Sequence, residues 1–151
     1  MKSLFLIFAL CLLITALAAA QKGQGKALGF HVYREGAMSR QKAERHEVIR
    51  TQAQFQKYWG EASFGEPSET PSDVDFTKEQ LIVIHLGSRP TTDYSVVVDS
   101  VTLTKKTLTI ALHEVKPHGM MVAHHVTSPF IIIKTKKTSG PVIFKVKSDK
   151  D

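Results

Sequence analysis

The chain has 151 residues, of which 42% are hydrophobic and 23% are charged, and its formal net charge is +6. This length corresponds to one domain, and a chain of this size buries enough surface to fold without a metal ion or a disulfide. The composition excludes wholesale disorder, a coiled coil and a polytopic membrane protein.

The N-terminus has the pattern of a secretory signal peptide. Lys2 precedes the apolar run Leu4–Leu17, and the small residues Ala18–Ala20 precede the polar Gln21. As a helix this run would span about 21 Å, which is less than the roughly 30 Å of a bilayer core. We therefore expect cleavage after Ala20 and a secreted or periplasmic protein, with an uncleaved membrane anchor as the alternative.

The expected mature chain has a flexible leader over residues 21–26 and a single β-rich domain over residues 27–151. The one cysteine of the chain, Cys11, lies inside the signal sequence. The mature domain would therefore have no disulfide, no catalytic thiol and no cysteine metal site. An exported domain without disulfides fits a bacterial envelope or culture fluid better than a eukaryotic secretory pathway.

The first half of the domain predicts two strands and one helix. Apolar residues alternate from Leu28 to Val32, which indicates a strand with one buried face, and Glu47–Arg50 is a second short strand. Thr51 is placed to cap a helix, with Gln54 at the reciprocal capping-box position. The helix would bury a stripe made of Phe55, Tyr58, Trp59 and Ala62.

The second half predicts strands joined as hairpins. The short apolar run Leu81–Leu86 indicates a strand buried on both faces. Alternation over residues 94–103 and 108–112 indicates a hairpin, with a bulge near Asp99 and Ser100 where the phase shifts. Phe130–Ile133 and Val142–Val146 would form a second hairpin, turned by Ser139–Pro141. The fold class is therefore α+β: a mainly antiparallel, sandwich-like or curled sheet of about six to seven strands with one packed helix.

Lysines are frequent near the C-terminus, and two interpretations remain open. They are Lys134, Lys136, Lys137, Lys145, Lys147 and Lys150. They either keep a strand face soluble or attract an anionic surface, which would make this a surface-binding structural domain. Nucleic acid is not an expected partner, because no aromatic residues are interleaved with the basic ones.

A catalytic constellation is not evident. His113, Glu114, His118, His124 and His125 cluster in sequence, but their spacing is not that of a helical zinc-peptidase motif. A small metal-dependent hydrolase that uses His113, His118, His124 or His125 across two strands is the alternative. No serine lies in a Gly-x-Ser-x-Gly turn. His85 lies within the apolar run, so we expect a histidine that is buried in the core and has hydrogen-bond partners. We therefore expect no cofactor and no enzymatic activity.

Three stretches taken together resemble one family. They are Val74–Gly87, Arg89–Val96 and Val126–Ile132. Their order and spacing are similar to the C-terminal domain of the protease-complex subunit PrcB family, over roughly residues 45–146. That family consists of small exported bacterial domains named for association with a secreted protease.

The resemblance implies a non-catalytic accessory module that docks on an exported protease or another envelope protein, as a stabiliser, complex subunit or inhibitor. The residues expected to contact the partner are Arg89, Pro90, Thr91, Thr92, Asp93, Tyr94, Met120, Met121 and Thr127. The family usually has glycines just before this tyrosine, whereas this chain has Thr92 and Asp93. Of these two residues, Asp tolerates a positive φ better.

Overall fold

The computed structural model describes residues 25–62, 71–117 and 125–147, and these residues form an α+β fold. The described part contains eight strands and one helix. In chain order they are β1 (Lys26–Ala27), β2 (Phe30–Gly36), β3 (Arg45–Ile49), α1 (Gln52–Ala62), β4 (Glu79–His85), β5 (Ser95–Thr104), β6 (Thr107–Val115), β7 (Phe130–Lys136) and β8 (Val142–Lys147). Within the described ranges, no helix is long and apolar enough to cross a membrane.

The strands form two four-stranded sheets. The first sheet has the order β1-β5-β6-β8 and the second has the order β2-β7-β4-β3. Every neighbouring pair is antiparallel except β6 and β8, which run parallel. Buried apolar side chains from both sheets, such as Ile84, Ile133 and Leu112, form one cluster between them. The predicted class, α+β with mainly antiparallel strands and one packed helix, is confirmed. The described residues form eight strands instead of the expected six to seven, because the two-residue β1 was not predicted.

The strands β4 and β7 are buried on both faces, as predicted for residues 81–86. Ile82 and Ile84 face the first sheet, whereas Leu81 and Val83 belong to a second cluster that includes the helix. Since successive side chains of a strand point to opposite faces, the second sheet is the middle layer of three. It lies between the first sheet and α1.

The helix begins and packs much as its sequence predicts. The Thr51 hydroxyl accepts a hydrogen bond from the Gln54 amide at 3.2 Å. The Gln54 side chain accepts from the backbone N–H of Arg50 at 2.8 Å, one residue before the predicted partner. The predicted apolar stripe is buried, and its members are Phe55, Tyr58, Trp59 and Ala62.

The predicted second hairpin is wrong. β7 lies in the second sheet, whereas β8 lies in the first sheet and runs parallel to β6. The segment between them crosses from one sheet to the other, and Gly140 packs so closely that a Cβ there would overlap the carbonyl oxygen of Lys106. The Leu108 amide then donates to the Pro141 carbonyl at 2.9 Å, which fixes the start of β8 beside β6.

Two smaller predictions about burial and boundaries are also corrected. Val32 is 49% exposed, because the pairing of β2 with β7 shifts register between Val32 and Arg34 and the alternation changes phase there. Lys26 belongs to β1 rather than to the leader, of which residues 21–24 lie outside the described ranges.

The bulge predicted near Asp99 and Ser100 is confirmed, since the β5–β6 register shifts between Val98 and Ser100.

Candidate functional site

The loop Gly87–Tyr94, called the rim loop below, follows β4. Its first residue must be glycine because of its backbone conformation and its close packing. Gly87 has φ of 76°, in the left-handed region, and a Cβ there would lie 2.8 Å from both the Glu44 amide nitrogen and the Lys42 carbonyl oxygen. A side chain would therefore be both strained and blocked. The next amide, of Ser88, donates to the Lys42 carbonyl at 2.9 Å, which ties the loop to the segment before β3.

Arg89 fixes the middle of the rim loop through its side chain. Its Nε donates to Glu114 Oε1 at 2.6 Å and its Nη2 to Glu114 Oε2 at 2.9 Å, so the pair is bidentate. Its Nη1 donates to the Leu86 carbonyl at 2.7 Å. The hydrogen-bonded Glu114 carboxylate raises the pKa of Arg89. Both side chains are only 22% exposed, so this ion pair is screened less than a surface pair.

The backbone of Arg89 joins the rim loop to the segment before β7. Arg89 and Thr127 exchange two backbone hydrogen bonds, of 2.8 and 2.9 Å, in an isolated antiparallel bridge. The Thr127 hydroxyl donates to the Thr91 carbonyl at 3.0 Å. Thr91 and Thr127 are 9% and 3% exposed. Both threonines therefore support the loop from inside, which differs from the contact role expected of them.

The other predicted residues of the rim loop are exposed or half-buried. Pro90 and Asp93 are exposed, and Thr92 and Tyr94 are half-buried. Asp93 has φ of 71°, so it adopts the left-handed conformation at a position where the resembling family usually has glycine. Met120 and Met121 lie outside the described residues, so their predicted contacts stay predictions.

A groove of about 320 Å³ adjoins the rim loop. Its walls come from the end of β2 and the start of β5, and they include Glu35, Tyr94 and Val97. In the described part of the chain, β1 pairs with β5 only at Thr102 and Leu103, so the N-terminal half of β5 has an open edge. Backbone donors and acceptors on an open edge, beside exposed apolar side chains such as Val97, suit an added extended segment.

The histidines of the alternative metal site are not brought together where they are described. His113 Nδ1 lies 2.9 Å from Asp99 Oδ1, and Asp99 also pairs with Lys147 at 3.0 Å. His125 is exposed. Among residues 25–62, 71–117 and 125–147, no three His, Cys, Asp or Glu side chains group as metal ligands. His118 and His124 lie outside these ranges, so the metal-dependent hydrolase is untested.

His85 is a buried polar residue of β4, and its predicted hydrogen-bond partners are present. Its Nδ1 lies 3.1 Å from the Ser39 hydroxyl and its Nε2 lies 2.9 Å from the Tyr58 hydroxyl. Burial lowers the pKa of His85 to about 4, with Arg45 as a second cause. The imidazole is therefore neutral at neutral pH, and it joins the helix to the middle sheet.

Sequence reasoning missed the residue on which the rim loop most depends. In the sequence Glu114 stands out only as a neighbour of the histidines, and nothing near it signals a partner 25 residues away. The β5–β6 register places Glu114 opposite Val96, just after the loop. The register alone does not pair Glu114 with Arg89. The pairing can be recognised only when the position of the rim loop relative to the sheet is also known.

Comparison with protein-family models gives a match to part of the chain. Residues 81–136 match the family model described as "PrcB C-terminal". No curated protein and no solved structure matches the chain significantly. The matched residues begin in β4 and end in β7, so they include the rim loop together with Glu114 and Thr127, which hold it. In this stretch the chain is similar to the PrcB C-terminal domain.

Proposed function

We propose that this protein is an exported, non-catalytic accessory domain that docks on an exported or envelope protease through the rim loop. The observation that carries the proposal is the family match over residues 81–136, which takes in the rim loop and its supports. The family suggests an accessory domain associated with a protease complex. Export rests on the signal pattern of residues 1–20, and the absence of catalysis rests on the same family association.

The construction of the rim loop supports a docking role. Arg89 holds it with a bidentate ion pair and a backbone bridge, so its conformation is set before any partner arrives. A preorganised loop loses less conformational entropy on binding than a mobile one. The adjoining groove and the open edge of β5 then provide a place for an extended segment of the protease.

Site-specific photocrosslinking in the native host tests this proposal. A photoreactive amino acid is placed at Thr92 in the rim loop, and in a matched variant at Lys106. The two positions lie beyond opposite ends of β5, whose ten residues span about 33 Å. We expect mass spectrometry to identify an exported protease crosslinked at Thr92, with a much lower yield at Lys106.

Two results would count against docking by the rim loop. One is equal yields at Thr92 and Lys106, which would indicate nonspecific contact. The other is a specific Thr92 product that contains no protease. Assaying the captured protease with and without the domain then separates a stabilising partner from an inhibitor.

A further inference from the structure

A second pocket lies at the opposite end of β4 from the rim loop, and its lining is basic. Its volume is about 600 Å³, and four cationic side chains line it together with three hydroxyl side chains. The cations are Arg50, Lys78, Lys136 and Lys137. Among the described residues that line it, none is acidic.

Arg50 is held in this pocket by neutral groups. Its Nε donates to Gln80 Oε1 at 3.1 Å and to the Thr138 carbonyl at 3.0 Å, and its Nη2 donates to the Gly140 carbonyl at 2.8 Å. Gln80 is fully buried, so the guanidinium is fixed from the protein side. Within the described residues its Nη1 has no acceptor and no carboxylate pairs with it. The positive charge is therefore oriented but not neutralised.

Lys137 repeats this arrangement next to Arg50. Its ammonium donates to the Arg50 carbonyl at 3.0 Å and to the Phe76 carbonyl at 2.6 Å, and both acceptors are neutral. Carbonyl dipoles satisfy the hydrogen bonds of a cation but do not cancel its charge. Two fixed cations thus share one wall of the pocket with no carboxylate partner in the described part of the chain.

Acidic residues near the pocket leave its positive charge in excess. Asp75 lies 3.3 Å from Lys78, which is 82% exposed, and such surface pairs are weak. Glu79 is the cross-strand partner of Lys136, but its carboxylate pairs with Lys134 at 3.6 Å and it does not line the pocket. Lys136 has no carboxylate within ion-pair distance among the described residues. The unpaired positive charge faces the pocket.

We propose that this pocket binds a phosphoryl group. A phosphate carries almost two negative charges and several acceptor oxygens, which match a guanidinium, ammonium groups and hydroxyls better than a single carboxylate does. The pocket is larger than a phosphate ion, so it has room for the group to which the phosphate is esterified. Free phosphate and a phosphate monoester are the two candidate ligands that carry such a group.

Titration of the isotope-labelled protein at constant ionic strength tests the proposal. The probes are inorganic phosphate and glycerol 3-phosphate, added against chloride, and the readout is the backbone amide shifts of Lys78, Thr138 and Ser139. We expect saturable shifts confined to the pocket. Tighter binding of glycerol 3-phosphate would identify a monoester as the ligand, and equal affinity would identify free phosphate.

Two lysine variants that change the net charge equally provide the control. Lys136→Gln removes a pocket cation outside the Arg50 network, whereas Lys145→Gln removes an exposed cation on β8, away from the pocket. We expect Lys136→Gln to weaken phosphate binding about three- to fivefold and Lys145→Gln to leave it unchanged. Equal losses in the two variants, or shifts that do not saturate, would overturn the proposal.

Discussion

At the scale of single residues, His85 makes the stability of the domain depend on pH. The imidazole is fully buried between the Ser39 and Tyr58 hydroxyls and stacks on Phe130 with ring centroids 5.7 Å apart. The charged groups that face it are Arg45 and His46, and both lower its pKa. Arg45 is in turn paired with Glu47 and Glu61. A proton on His85 would be buried next to like charge.

The sign of the effect follows from the two pKa values of His85. Its ordinary pKa is 6.5 and its pKa in the folded domain is about 4, so the unfolded chain binds the proton more tightly. The contribution of neutral His85 is complete above pH 6.5, decreases as the pH falls towards 4, and is lost below that. The loss amounts to about 3 kcal/mol of unfolding free energy.

We predict that His85→Phe removes this pH dependence. Urea unfolding of the parent protein and the variant, measured between pH 4 and 7, gives the difference in their unfolding free energies. Carboxylates titrate in both proteins, so their contributions to the pH dependence of the unfolding free energy cancel in that difference. We expect the parent to lose about 3 kcal/mol relative to the variant as the pH falls across this interval. A constant difference would contradict the assignment of this term to His85.

At the scale of elements, the connection from β7 to β8 depends on one glycine. We predict that Gly140→Ala lowers the unfolding free energy by roughly 1–3 kcal/mol, because its Cβ would overlap the Lys106 carbonyl and push β8 away from β6. Gly29→Ala is the control, since a Cβ there meets nothing within 4 Å. Thermal unfolding of both variants measures the effect. Equal stabilities would mean that the crossover tolerates displacement.

The same connection marks the limit of sequence reasoning about elements. Local periodicity correctly predicts α1, the buried strand β4 and the β5–β6 hairpin, because each is determined by residues close together in the chain. The alternation in β7 and β8 is the same whether the strands pair or separate into two sheets. The turn Ser139–Pro141 suits both paths, so only the packing of Gly140 on Lys106 decides between them.

At the scale of the whole molecule, the two candidate sites differ in how far the sequence predicts them. The rim loop is continuous in sequence, so the family resemblance could point to it, and its role in docking stays a prediction. The structure shows Arg89 and Thr91, together with Thr127 outside the loop, as supports of the loop. The basic pocket combines Arg50 with Lys137, which are 87 residues apart. Such a site exists only after β3 and β7 have entered the same sheet, and no local pattern signals it.

The separation of the two sites makes a prediction about the whole domain. They lie at opposite ends of β4, whose seven residues span about 23 Å. This distance is well over the Debye length of about 8 Å at physiological ionic strength, so a charge change at one site is screened at the other. Mutations at the two sites are therefore expected to act independently.

Arg89→Lys and Lys136→Gln test this independence, each measured both by crosslinking at Thr92 and by phosphate titration. A lysine at position 89 makes no bidentate pair with Glu114, so the rim loop loosens and the yield of crosslinked protease falls. Its phosphate affinity stays that of the parent protein. Lys136→Gln gives the opposite result, with weaker phosphate binding and an unchanged crosslink. If either variant lowered both readouts, the protease and the phosphate would share one extended surface, and the assignment of two separate sites would be wrong.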